Sequence, residues 1–163
     1  MRIFFVIIFL FFILLSNAQC SDLTKLREAY ILSQNDIKSC KELYNLSKNC
    51  NPILDPVEFS YNIKSHLMEC NFILNPFRKY TIFKNSTQQL DSLIRLNPQY
   101  IEMRFLRYLV QLNSPKILGY NTNLHNDYKF IIDNIYSENE DLRNFILPIL
   151  NNLDNERTSN TSK

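Results

Sequence analysis

Six prolines punctuate this chain, and five stand directly behind a residue able to cap a helix: Asn51-Pro52, Asp55-Pro56, Asn75-Pro76, Asn97-Pro98 and Ser114-Pro115. Proline at the first helical position loses no hydrogen bond, because its N–H would be unpaired there. The polar side chain before it can accept from the orphan N–H groups of the first turn. Each pair therefore reads as a helix start. Asp55 with Glu58, and Ser137 with Glu140, add the spacing of a capping box. Between these marks apolar residues recur at helical spacing, as in Phe59, Ile63, Leu67 and Cys70, and no segment alternates with period two. The pattern predicts an all-α fold of antiparallel hairpins with about seven helices, near 22–33, 36–49, 56–72, 76–96, 98–113, 126–136 and 138–153. A short turn of helix after Ser114-Pro115 is expected to end at Gly119 in a left-handed conformation. Pro148 follows Leu147 and breaks the rule, so a kink or an early end is expected there.

Gly119 is the single glycine of the chain, and that count excludes function classes. Loops that cradle phosphates need several glycines where backbone approaches the ligand or takes positive φ, so a nucleotide-binding fold is not expected. The formal charge of +2 has no basic block behind it, which removes nucleic acid from the expected partners.

Met1 and Arg2 make a short positive start, followed by an unbroken run of 13 apolar residues, Ile3 to Leu15, and then Ser16-Asn17-Ala18. Thirteen apolar residues fall short of the roughly 20 that cross a bilayer. Ser16 and Ala18 fit the small-residue positions of a signal-peptidase site, so residues 1–18 read as a signal peptide and the mature chain as starting at Gln19. No stable membrane span then remains. An acylated lipoprotein cysteine at Cys20 is disfavoured, because Gln19 stands where the bacterial signal wants a small residue. The rest reads as one all-helical domain over 19–153, with a disordered tail over 154–163, where no large apolar residue occurs.

The four cysteines, at 20, 40, 50 and 70, all lie beyond the leader, and export favours their pairing. If the first three helices are consecutive antiparallel neighbours, Cys40 and Cys50 sit about 15 Å apart along one helix, beyond the roughly 7 Å between Cα atoms that a disulfide tolerates. Cys20–Cys40 and Cys50–Cys70 join opposite ends of the bundle and fail likewise. The pairing expected is Cys20–Cys50 with Cys40–Cys70. His66 and Cys70 share a helix face, but with only two histidines, the other being His125 in a loop, no metal site is read and no cofactor is expected.

The segment Asn75-Pro76-Phe77-Arg78-Lys79-Tyr80, the Leu90-(x3)-Ile94-(x2)-Asn97-Pro98 ending, the Glu102-x-Arg104-Phe105-Leu106-Arg107 helix and the Leu118-Gly119-Tyr120 turn resemble a group of uncharacterised exported bacterial helical proteins. The resemblance covers roughly residues 70–136 and implies export and a helical fold, with no activity attached. The piece ending at Pro98 also resembles the second helix of a tetratricopeptide repeat, except that Leu93 and Tyr108 stand where that repeat has Ala and Gly.

Arg104 and Arg107, with Glu102 beside them, are the residues singled out. Their helix also carries Phe105, Leu106, Leu109, Val110 and Leu112, and two arginines three apart on so apolar a helix need an account. Either they form a structural ion pair with their stems in the core, or they offer a guanidinium to a partner's carboxylate or a small anion. No catalytic constellation is recognisable, so a non-enzymatic protein is expected: an interaction or scaffold module for another envelope or secreted protein. The alternative is a binder of a small apolar or anionic ligand between helices, with Arg104 or Arg107 as its polar anchor.

Overall fold

The structure, a computed structural model, describes residues 20–34 and 36–161, with side chains described as far as Glu156. The signal peptide over 1–18 and the cleavage point before Gln19 lie outside the described residues. Seven α-helices follow one another: α1 Leu23–Leu32, α2 Ile37–Ser47, α3 Pro56–Glu69, α4 Pro76–Leu96, α5 Ile101–Asn113, α6 Leu124–Asn134 and α7 Glu140–Thr161. Single turns of 3-10 helix lie at Cys70–Phe72, Lys116–Leu118 and Ile135–Ser137, and no strand occurs among the described residues. The fold is all-α.

From α1 to α6 consecutive helices pack on one another, α3 also reaches α1 and α5, and α7 packs on α5. Ten of the 13 residues of α5 are buried, which makes it the central helix. Ile101, Phe105, Leu106, Tyr108 and Leu109 join the larger apolar cluster with Leu26, Tyr61, Ile131 and Ile146. Met103 and Val110, on another face, join a second cluster with Ile63, Leu67, Leu90 and Ile94. One helix thus belongs to both halves of the core.

Helix punctuation works as expected at Asn75, whose side chain accepts from Phe77 N at 3.0 Å and Arg78 N at 3.1 Å. Gly119 takes φ 62° and closes the 3-10 turn. Elsewhere the pairs act differently. Asp55 gives α3 no side-chain cap and accepts instead from Asn51 N at 3.2 Å, so the Asp55/Glu58 box does not form. Ser137 is spent in a 3-10 turn, and Asn139 caps α7 by accepting from Leu142 N at 2.9 Å. Asn97 closes α4, donating to Leu93 O at 3.0 Å, and α5 begins only at Ile101. His125, read as a loop residue, lies exposed in the first turn of α6.

Two further expectations are corrected. Helix α7 does not end at Pro148 or at Leu153 but runs to Thr161, and Tyr128 donates to the Asp154 carboxylate at 3.1 Å. The lack of large apolar residues does not stop a helix where neither glycine nor proline interrupts it. Residues 162–163 lie outside the described ones.

Of the two expected disulfides, Cys20–Cys50 is formed, with the Cα atoms 4.4 Å apart. Cys40 and Cys70 are buried free thiols. They sit toward the same end of α2 and α3, as the hairpin argument requires, but the thiols face different neighbours. Cys40 donates to Ser33 O at 3.0 Å, whereas Cys70 is directed at the carbonyls of His66, 3.6 Å away, and Lys79, 3.7 Å away. Burial pushes both thiols above their ordinary range.

Candidate functional site

Arg104, Arg107 and Gln111 follow one another on α5 at helical spacing, and all three converge on one carboxylate, Asp127, in the first turn of α6. Arg107 forms a fork on it, Nε to Oδ2 and Nη2 to Oδ1, both at 2.7 Å, and its third nitrogen reaches Asp91 at 3.0 Å. Gln111 donates to Asp127 at 2.9 Å, and Arg104 lies 3.4 Å from it. Asp127 is fully buried. Burial alone would lower the affinity of Arg107 for its proton, but the hydrogen bonds and charges of Asp127 and Asp91 outweigh it and raise that affinity. Arg104 stacks on Phe130, 4.2 Å from the ring centroid, and donates to Pro98 O at 3.1 Å. Both guanidinium groups are occupied by the protein's own acceptors. This is the ion-pair arrangement, complete at Arg107 and looser at the partly exposed Arg104.

Glu102, grouped with these arginines on sequence, belongs to a separate network. It faces the other way and takes a fork from Arg27 of α1, at 2.8 and 2.7 Å, and the Tyr61 hydroxyl of α3 at 2.5 Å. Burial, followed by the charge of Glu102, holds the Tyr61 phenol well above its usual range. The two networks fix α5 against α1 and α3 on one side and α4 and α6 on the other.

A cleft of about 620 Å³ opens between α1, α3, the start of α4, α5 and the turn after it. Leu67, Phe83 and Val110 share its wall with Gln34, Asn71 and Asn113, and the exposed Tyr80 and Ile117 stand at its rim. Lys64 of α3 lines it and is 7% exposed. Its ammonium lies 5.6 Å from the centroid of the Tyr30 ring. Among the described residues no carboxylate comes within ion-pair distance of it. Burial lowers its pKa to about 8.

That depression has a consequence for stability. Between the folded value of about 8 and the ordinary lysine value of 10.5 the unfolded chain holds a proton that the folded one has released. The contribution of Lys64 to stability therefore rises with pH across that window, opposed in its upper part by the buried thiols of Cys40 and Cys70, which keep protons that the unfolded chain releases. Above it, Tyr30 and Tyr120, whose phenols burial holds protonated, reverse the trend. Replacing Lys64 with Met is expected to raise the unfolding free energy at pH 7 by roughly 2 kcal/mol and to flatten the rise above pH 8. Urea titrations of both proteins from pH 7 to pH 10 check this; a variant as pH-dependent as the parent would refute it.

A smaller cleft of about 350 Å³ lies between α2 and α3, where His66 packs on Tyr44 with ring centroids 5.3 Å apart. His66 and Cys40 line this cleft and Cys70 lines the larger one, so the face shared by His66 and Cys70 does not assemble into one site. Among the described residues no three of His, Cys, Asp and Glu are grouped as metal ligands.

Sequence reasoning reached Arg104, Arg107 and Glu102 but not Asp127, Asp91, Arg27 or Lys64. Two arginines on an apolar helix announce that acids must meet them, and nothing local says which acids do. Lys64, between Ile63 and Ser65, gave no such sign.

The fold and these sites define an all-helical, disulfide-linked domain with a buried ion-pair network and an amine-bearing apolar cleft. Comparison with protein-family models, curated proteins and solved structures finds no match.

Proposed function

We propose that this chain is an exported, non-enzymatic helical protein that holds a small, largely apolar molecule in the cleft between α1, α3, α4 and α5. The observation that carries the reading is the cleft itself. Its volume of about 620 Å³ falls within the 300–1,000 Å³ typical of small-molecule sites, and its lining sets apolar side chains beside polar ones, with Lys64 the buried cation among them. Export is supported by the leader pattern, by the resemblance to exported bacterial helical proteins and by the Cys20–Cys50 bridge, a bond that persists in oxidising compartments. Among the described residues no helix is long and apolar enough to cross a membrane.

The interaction-module reading draws on exposed apolar side chains. Leu74 is 99% exposed, Phe77 84% and Ile117 92%, a display that also suits a protein surface. Native mass spectrometry of protein purified from its own host separates the two. Under the ligand reading the spectrum shows an excess of a few hundred daltons, on the scale of a drug-sized ligand, that denaturation releases. An excess of several kilodaltons would replace this reading with the interaction module, a bound partner being a domain-sized chain. A bare chain that takes up no apolar probe would defeat the ligand reading.

A further inference from the structure

Among the described residues four charged ones are buried: Lys64, Glu102, Arg107 and Asp127. Three of them are neutralised inside the fold, Glu102 by Arg27 and Arg107 and Asp127 by each other. Lys64 is the exception. The face of the Tyr30 ring lies against its charge and offsets only part of what burying an ammonium costs. Elsewhere this chain supplies a carboxylate to each buried cation; in the cleft it supplies none.

We propose that Lys64 is the anchor for the carboxylate of an amphipathic organic acid whose apolar chain fills the cleft. This inference rests on the reading of the cleft as a ligand site. A single buried ammonium matches a monoanion. A phosphate, with its higher charge and three acceptor oxygens, calls for several convergent donors. The second cation lining the cleft, Lys79, is exposed on α4 and suits the approach of an anion more than its final position. The remaining titratable groups lining it are Tyr30 from α1, Cys70 from the 3-10 turn and Tyr80 from α4, and α5 contributes only Leu109, Val110 and Asn113. No anion from the protein competes for the site while the thiol of Cys70 is held protonated by its burial. The amine titrates at about 8, so its charge, and with it the preference for a carboxylate, fades as pH rises above that value.

The test compares dodecanoate, its uncharged methyl ester and dodecyl phosphate by calorimetry, each below its aggregation threshold, on the oxidised chain. At pH 7 dodecanoate is expected to bind at least tenfold tighter than the ester, and tighter than the phosphate. Lys64→Met is expected to bind the ester normally and to lose the carboxylate preference, while Lys79→Met keeps it. Equal affinity for acid and ester, a preference that survives Lys64→Met, or tighter binding of the phosphate would overturn the assignment and leave the cleft reading standing. Failure of all three probes to bind would overturn the cleft reading with it. Because Lys64→Met is expected to be more stable than its parent, loss of preference in that variant is not a loss of fold.

Discussion

Replacing Asp127 with alanine is expected to lower the unfolding free energy by about 3–5 kcal/mol, the range seen when one partner of a buried pair is removed. Asp127 accepts from Arg107 twice and from Gln111 once, and it also faces Arg104, so its loss strands two cations and an amide at one stroke. Asp91, more than a third exposed, remains on Arg107 and softens the loss without covering the buried side of the guanidinium. Asn at position 127 keeps one acceptor oxygen and should fall between the parent and the alanine variant. Denaturant midpoints at pH 7 measure all three, and a loss below about 1 kcal/mol would mean that water satisfies the arginines as well as the carboxylate does. The pair Arg107→Met with Asp127→Leu should lose less than Asp127→Ala alone, because removing both charges leaves nothing unpaired.

The second large effect concerns the bridge. Cys20–Cys50 closes a loop with a sequence separation of 30 residues. Constraint of the unfolded chain over such a loop is worth about 3.5 kcal/mol, and the double serine variant should lose close to that amount. Alkylating the unreduced chain after unfolding should label Cys40 and Cys70 and spare Cys20 and Cys50. Labelling of all four, or of none, would show the pairing to be wrong. Reduction should cost the parent what the double variant lost and leave the variant's own stability unchanged.

Much of the helical layout was legible because it rests on local chemistry. The Asn75-Pro76 start, the left-handed turn at Gly119 and the antiparallel order that brings Cys20 to Cys50 each depend on a few neighbouring residues. What escaped depends on which faces meet. The chain offers 16 acidic residues, and nothing near Arg107 marks Asp127, 20 positions away, as its partner. The all-round burial of α3 was equally hidden. Its apolar stripe suggested a helix with a wet side, yet the small Ser60 and Ser65 let neighbours close in from other directions and carry Lys64 inside with them. Cys40 and Cys70 show the same limit from another angle, since shared level in a bundle does not determine the direction of a thiol.

The dispersal of these partners also sets an order of assembly. Helix α5 receives Arg27 from far upstream and Asp127 from downstream, so its polar groups are compensated only when both flanks of the chain are present. A chain that has emerged only as far as Gly119 holds Arg104 and Arg107 with Asp91 as their sole acid from this network, and desolvating them at that stage is unfavourable. Full compensation of the central helix therefore waits on the C-terminal helices. A truncation at Gly119 would thus leave Arg107 without the carboxylate that forks it, whatever apolar surface the shorter chain could still bury.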